Sequence, residues 1–133
     1  VNIKGGTLKT KMDSLSKIVK KYEMKLAVIL KIKKMISEME ANFKIYIEQQ
    51  KEILEEFAKR DEKTKEVCKD ENGNYLFENA VMPKLNLKLE ELGNAEMDVD
   101  IEALSISGDL GLKEEDKIDG ALFMPLLDDI LLE

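Results

Sequence analysis

The chain has no histidine and no tryptophan, one cysteine, two prolines and a single arginine. Each shortage closes a class of explanation. Without histidine the commonest general base and metal ligand is missing, and neither a Ser/His/Asp nor a Cys/His nucleophile arrangement can be assembled from one chain type. Cys68 has no intrachain partner for a disulfide, so nothing in the sequence depends on an oxidising compartment, and a small apolar residue is a plainer role for it than a nucleophile. Aromatic residues make up 5% of the chain, which leaves the core to Leu, Ile, Val and Met. With Arg60 the only guanidinium and few rings for stacking, a nucleic-acid partner is disfavoured. No apolar run reaches the roughly 18 residues of a membrane span, and the nearest, Leu26 to Ile32, is broken by Lys31. No membrane role is expected.

Glycine and proline are also absent from Lys9 to Glu71, and a regular pattern fills that interval. Ile29, Ile32, Ile36, Met39, Phe43, Tyr46, Gln50, Ile53 and Phe57 fall at alternating spacings of three and four. A 3.5-residue repeat keeps one apolar edge facing a partner helix along its length, so the stripe predicts a docking seam, within the chain or against a second copy. Gln50 stands in it as a polar, register-setting residue. Met35, Ile47 and Leu54 widen the stripe beyond two positions, which calls for intrachain neighbours as well.

Around the seam the other elements follow from local signals. Lys4-Gly5-Gly6 is what a purine-rich ribosome-binding site would encode if translated in frame. Residues 1–12 are therefore expected to be a flexible or mis-assigned extension, with Leu8 or Met12 as the true start, and residues 13–133 a single helical domain. Asp13 or Ser14 caps a first helix carrying Leu15, Ile18 and Val19 on one face, Tyr22-Glu23-Met24 marks a bend, and the seam helix runs to about Arg60. Asp70-Glu71-Asn72-Gly73-Asn74 is the strongest turn signal and predicts a hairpin with arms Glu66-Val67-Cys68 and Tyr75-Leu76-Phe77. Asn79 then caps a helix from Ala80 to Leu92, with Pro83 in its first turn and Gly93 at its stop; Met82, Leu85, Leu89 and Leu92 make it the first choice to pack on the seam. Glu96 to Ile101 alternates strictly, with Met97, Val99 and Ile101 on one side, as a strand with one buried face does, and Leu104 and Ile106 extend it. After an acidic turn at Gly108 to Asp116, Pro125 opens a terminal helix through Leu132. The class is mainly α with a small β element (α+β): a long heptad-patterned helix packed by shorter helices, one hairpin and one acidic strand.

This order of elements, with the stretch Tyr46 to Ala58 and the turn Asp70 to Tyr75, resembles that of small phage and prophage proteins of low-GC Gram-positive bacteria. The likeness covers most of residues 15–133 and rests on patterns of apolar and charged residues. It implies a phage gene product acting in a bacterial host cytoplasm or a virion-assembly pathway.

Motifs for chemistry are few. Glu55-Glu56 and Glu90-Glu91 sit at adjacent helix positions that diverge, as on solvated faces. Asp98, Asp100 and Glu102 imitate the opening of a calcium loop, but Ala103 and Asp109 occupy the places that need Gly and Glu; Asp70, Asn72 and Asn74 fail in the same way. No cofactor, metal or catalytic residue is assigned. Charge distribution says more: residues 1–60 hold fourteen basic against eight acidic side chains, net +6, and residues 61–133 seven against twenty, net −13, within a whole-chain charge of −7. The halves attract, so Lys17, Lys20, Lys21, Lys25, Lys31, Lys33 and Lys34 are expected to face C-terminal acids, within the fold or across a dimer. The expectation is thus a non-enzymatic interaction or assembly protein, a homodimer or higher oligomer binding some phage or host protein. The rival is an acidic inhibitor in which Glu96, Asp98, Asp100, Glu114, Glu115, Asp116 and Asp119 form a ridge for a basic, nucleic-acid-binding surface.

Overall fold

A computed structural model describes residues 1–112, 119–127 and 129–132. The chain is mostly helical, and its order is β1 (Asn2–Lys4), α1 (Leu8–Lys21), α2 (Leu26–Phe57), α3 (Met82–Asn94), β2 (Glu96–Asp98), β3 (Leu104–Ser105), α4 (Gly120–Phe123) and β4 (Leu131–Leu132). Helix α1 starts five residues before Asp13, because Leu8 and Met12 continue the face of Leu15 and Ile18 and all four are buried. It ends where Tyr22 turns extended, at the expected bend, and Lys20 and Lys21 in its last turn complement the negative end of the helix dipole. Helix α2 spans 32 residues, about 48 Å, and stops at Ala58. Both α1 and α3 pack against it.

Residues 1–12 are not a flexible extension. Asn2, Ile3 and Lys4 pair antiparallel with Asp98, Met97 and Glu96, and the Val1 and Val99 backbones exchange hydrogen bonds at 3.0 and 2.8 Å. The pairing puts Ile3 and Val99 in the core and leaves Asn2, Lys4, Glu96, Asp98 and Asp100 outside, which is the alternation of β2 realised. A short 3-10 turn, Gly5–Thr7, then carries the chain between α2 and α3. A Cβ on Gly5 would lie 2.7 Å from the Tyr46 ring, and one on Gly6 would lie 3.2 Å from the Gly93 Cα. Gly93 is therefore not the helix stop; α3 continues to Asn94, and the small residue sits where another backbone crosses.

The segment between α2 and α3 folds as three extended stretches. Lys59 N–H donates to the Leu76 carbonyl at 2.8 Å, Cys68 N–H to the Lys59 carbonyl at 2.7 Å, and Leu76 N–H to the Cys68 carbonyl at 3.0 Å. The expected arms pair through Lys69 and Tyr75 around the Asp70–Asn74 turn, in which Gly73 has φ 81° and the Asp70 carboxylate accepts the Asn72 and Asn74 amides. Asn79 opens a 3-10 turn, without a side-chain cap bond, and α3 begins at Met82 with Pro83 in its first turn.

The terminal helix expected from Pro125 to Leu132 is absent from the described residues. Helix α4 lies earlier, capped by Asp119, whose carboxylate accepts the Ala121 N–H; Pro125 lies in a 3-10 turn, Met124–Leu126. Leu131 and Leu132 instead pair in parallel with Leu104 and Ser105, so backbone groups a helix would satisfy internally close a second two-stranded sheet. The core gathers Ile3, the apolar face of α1, α2 as far as Met39, Val99, Leu104 to Leu112, and Phe123 to Leu131.

Candidate interaction surface

All nine seam residues lie on the face of α2 turned inward, though unequally. Ile32 and Met39 are fully buried, while Ile29, Ile36, Phe43, Tyr46, Gln50, Ile53 and Phe57 are half-buried. The seam is thus occupied first by the chain's own α1 and α3. No residue of α2 beyond Met39 is fully buried, so the distal half is covered on one side only, by α3 and the extended stretches. Phe43 and Tyr46 stack with ring centroids 6.1 Å apart, and the Tyr75 hydroxyl donates to Glu55 at 2.9 Å, which raises the Tyr75 pKa above its ordinary value. Leu26, Leu30, Ile45 and Ile47 on α2 and Leu87 on α3 are exposed.

Of the seven residues of the expected acidic ridge, four lie among the described residues. Glu96, Asp98 and Asp100 line the outer side of β2 and its continuation, with Asp98 88% exposed and 3.8 Å from the terminal ammonium. Glu114, Glu115 and Asp116 lie outside the described residues. Asp119 belongs to the fold: its carboxylate accepts from Lys21 at 2.9 Å and from the Ala121 amide, and the Lys21 bond, foremost, holds its pKa below the usual carboxylate range. Its backbone N–H donates to the Tyr22 hydroxyl at 2.8 Å.

Charge pairing between the halves takes an unexpected form. Of the seven lysines expected to pair, Lys21 makes an ion pair with a C-terminal acid among the described residues. Lys31 and Lys34 share a cleft of about 390 Å³ with Asp100, Glu102 and Asp109. The closest long-range ion pair among the described residues is absent from the sequence-based expectations. Lys11 is buried, and its ammonium donates to the Pro125 carbonyl and to Asp129, both at 2.7 Å. Its signal was present: position 11 falls between Leu8 and Leu15 on the buried face of α1, so a charge there needs a partner.

Among the described residues no group of three or more His, Cys, Asp or Glu side chains is placed to hold a metal ion, and no helix is long and apolar enough to cross a membrane. No protein-family model, curated protein or solved structure matches the chain.

Proposed function

We propose that this protein is a non-enzymatic contact protein of the phage and prophage kind, an assembly or accessory factor working in the host cytoplasm through its helices. One observation carries the reading: α2 is about 48 Å long, yet its full burial ends at Met39, and apolar side chains stand exposed beyond that point at Ile45, Ile47 and, on α3, Leu87. Apolar side chains left exposed on a helix pair offer a surface to a further helix. The test is capture from a host lysate by the wild-type chain and by an Ile47→Glu, Leu87→Glu variant of equal melting temperature. Partners held by the first and lost by the second are expected; identical capture by both contradicts the reading. The second reading, an acidic inhibitor of a basic surface, draws on the exposed row Glu96, Asp98 and Asp100. It requires instead that Asp98→Asn with Asp100→Asn abolish a salt-sensitive capture that the apolar variant leaves intact.

A further inference from the structure

Helix α2 carries a second stripe on the side away from its seam. Leu26, Leu30, Ser37, Ala41, Ile45 and Glu48 recur at helical spacing and are all exposed, Leu26 to 70%, Leu30 to 57% and Ile45 to 53%. The stripe is a ridge between two grooves: Lys33 lines one, with Ser16, Val19 and Ile36 of its floor, and Lys34 lines the cleft that holds Asp100 and Glu102.

The charges along this helix oppose its own dipole. From Lys25, the residue before the helix, to Lys34 there are four lysines and no acid; from Glu48 to Glu56 there are four glutamates and one lysine. Cations thus gather at the positive end of the dipole and anions at the negative end, with no acid in the first turn and no basic residue in the last. Within one chain the relief is partial: the Arg60 guanidinium donates to the Glu55 carbonyl at 3.3 Å in the last turn, and Lys31 and Lys34 share their cleft with Asp100, Glu102 and Asp109. Among the described residues the charges of α2 make one ion pair, Lys51 with Glu55 at 4.0 Å. A second α2 laid antiparallel relieves it at both ends at once, setting a basic third against an acidic third and opposing the two dipoles.

We propose that this ridge is the contact with a second copy of the chain, two α2 helices lying antiparallel about a two-fold axis close to Ala41. The inference rests on the reading of α2 as a contact helix and names its occupant. Ser37 and Ala41 are small enough to let the helices approach at the crossing, and the two-fold sets Ser37 opposite the partner's Ile45 and Lys34 opposite the partner's Glu48. Leu26 and Leu30 then lie along the aliphatic stems of the acidic third of the partner helix.

Sedimentation equilibrium of the full chain at micromolar concentrations tests the arrangement, because Lys34 and Glu48 are fourteen residues, about 21 Å, apart on one helix and cannot pair within a chain. The wild type should be a dimer. Lys34→Glu and Glu48→Lys should each weaken it by about tenfold or more, and the double variant should recover most of the loss, since the reversed charges again face each other across the axis. Ala41→Arg, at an exposed helical position that tolerates it, should leave the helix content intact and the protein monomeric. A monomeric wild type, a dimer indifferent to these changes, or a double variant as weak as the singles would each overturn the proposal. A monomer that still captures partners through Ile47 and Leu87 would overturn it alone and leave the contact-protein reading standing.

Discussion

Two lysines tie the N-terminal helix to the end of the chain, by different physics. Lys11 is nearly enclosed, and its ammonium meets the Pro125 carbonyl and the Asp129 carboxylate at 2.7 Å each. Lys11→Met keeps the apolar stem buried but leaves both acceptors without their donor, so a loss of about 1–3 kcal/mol is expected in denaturant unfolding. Lys21 and Asp119 are a more open pair, at 52% and 32% side-chain exposure. Their bond lowers the Asp119 pKa and raises that of Lys21. Because the Asp119 carboxyl is more acidic folded than unfolded, its contribution is complete above the ordinary Asp range, near 3.9, and is lost as pH falls through the lowered value. The Lys21 contribution is complete below its ordinary range, near 10.4, and is lost as pH rises through the raised value. Asp119→Asn should therefore flatten both the acid and the alkaline limbs of the melting-temperature profile relative to wild type. An acid limb of unchanged steepness would show that other carboxylates govern it.

At the scale of elements, the Gly5-Gly6 passage is a tight crossing of three elements. It holds β1 in register with β2 and fits between Tyr46 on α2 and Gly93 on α3. Gly5→Ala should cost about 1–3 kcal/mol, since the ring of Tyr46 must move, whereas Gly120→Ala, with open space around it, should change stability by no more than about 0.5 kcal/mol. Thermal melts of the two variants side by side check this. The same passage marks where sequence reading reached its limit. Elements set by local periodicity were legible: the length of α2, the bend at Tyr22, the Asp70–Asn74 turn, the alternation of Met97, Val99 and Ile101. Elements set by distant pairing were not. Nothing near Asn2 announces a ladder with Asp98, and the Leu-rich terminus fits a helix or a strand equally until Leu104 and Ser105 supply a partner edge. The nine-residue stripe pointed to a docking face, but its spacing is the same whether the neighbour is α1, α3 or a second chain.

For the whole molecule, the division of charge between the halves is bridged at a few named points among the described residues. Lys11 with Asp129 and Lys21 with Asp119 join the halves, while Lys31 and Lys34 stand across a cleft from Asp100 and Glu102. The two faces of α2 were legible to different degrees: the seam stands out in the sequence, whereas the exposed row of Leu26, Leu30 and Ile45 does not, because these residues do not belong to the dominant apolar period. What distinguishes the two faces is when each becomes protected from solvent. Hydroxyl-radical footprinting of the full chain across a concentration series reads both together. The account predicts that Met35 and Met39 stay unreactive at every concentration, while Leu30 and Ile45 are oxidised in dilute solution and become protected as the protein is concentrated. Met39 reactive when dilute and protected when concentrated would contradict it, because the seam would then be covered by a second chain and not by the protein's own helices.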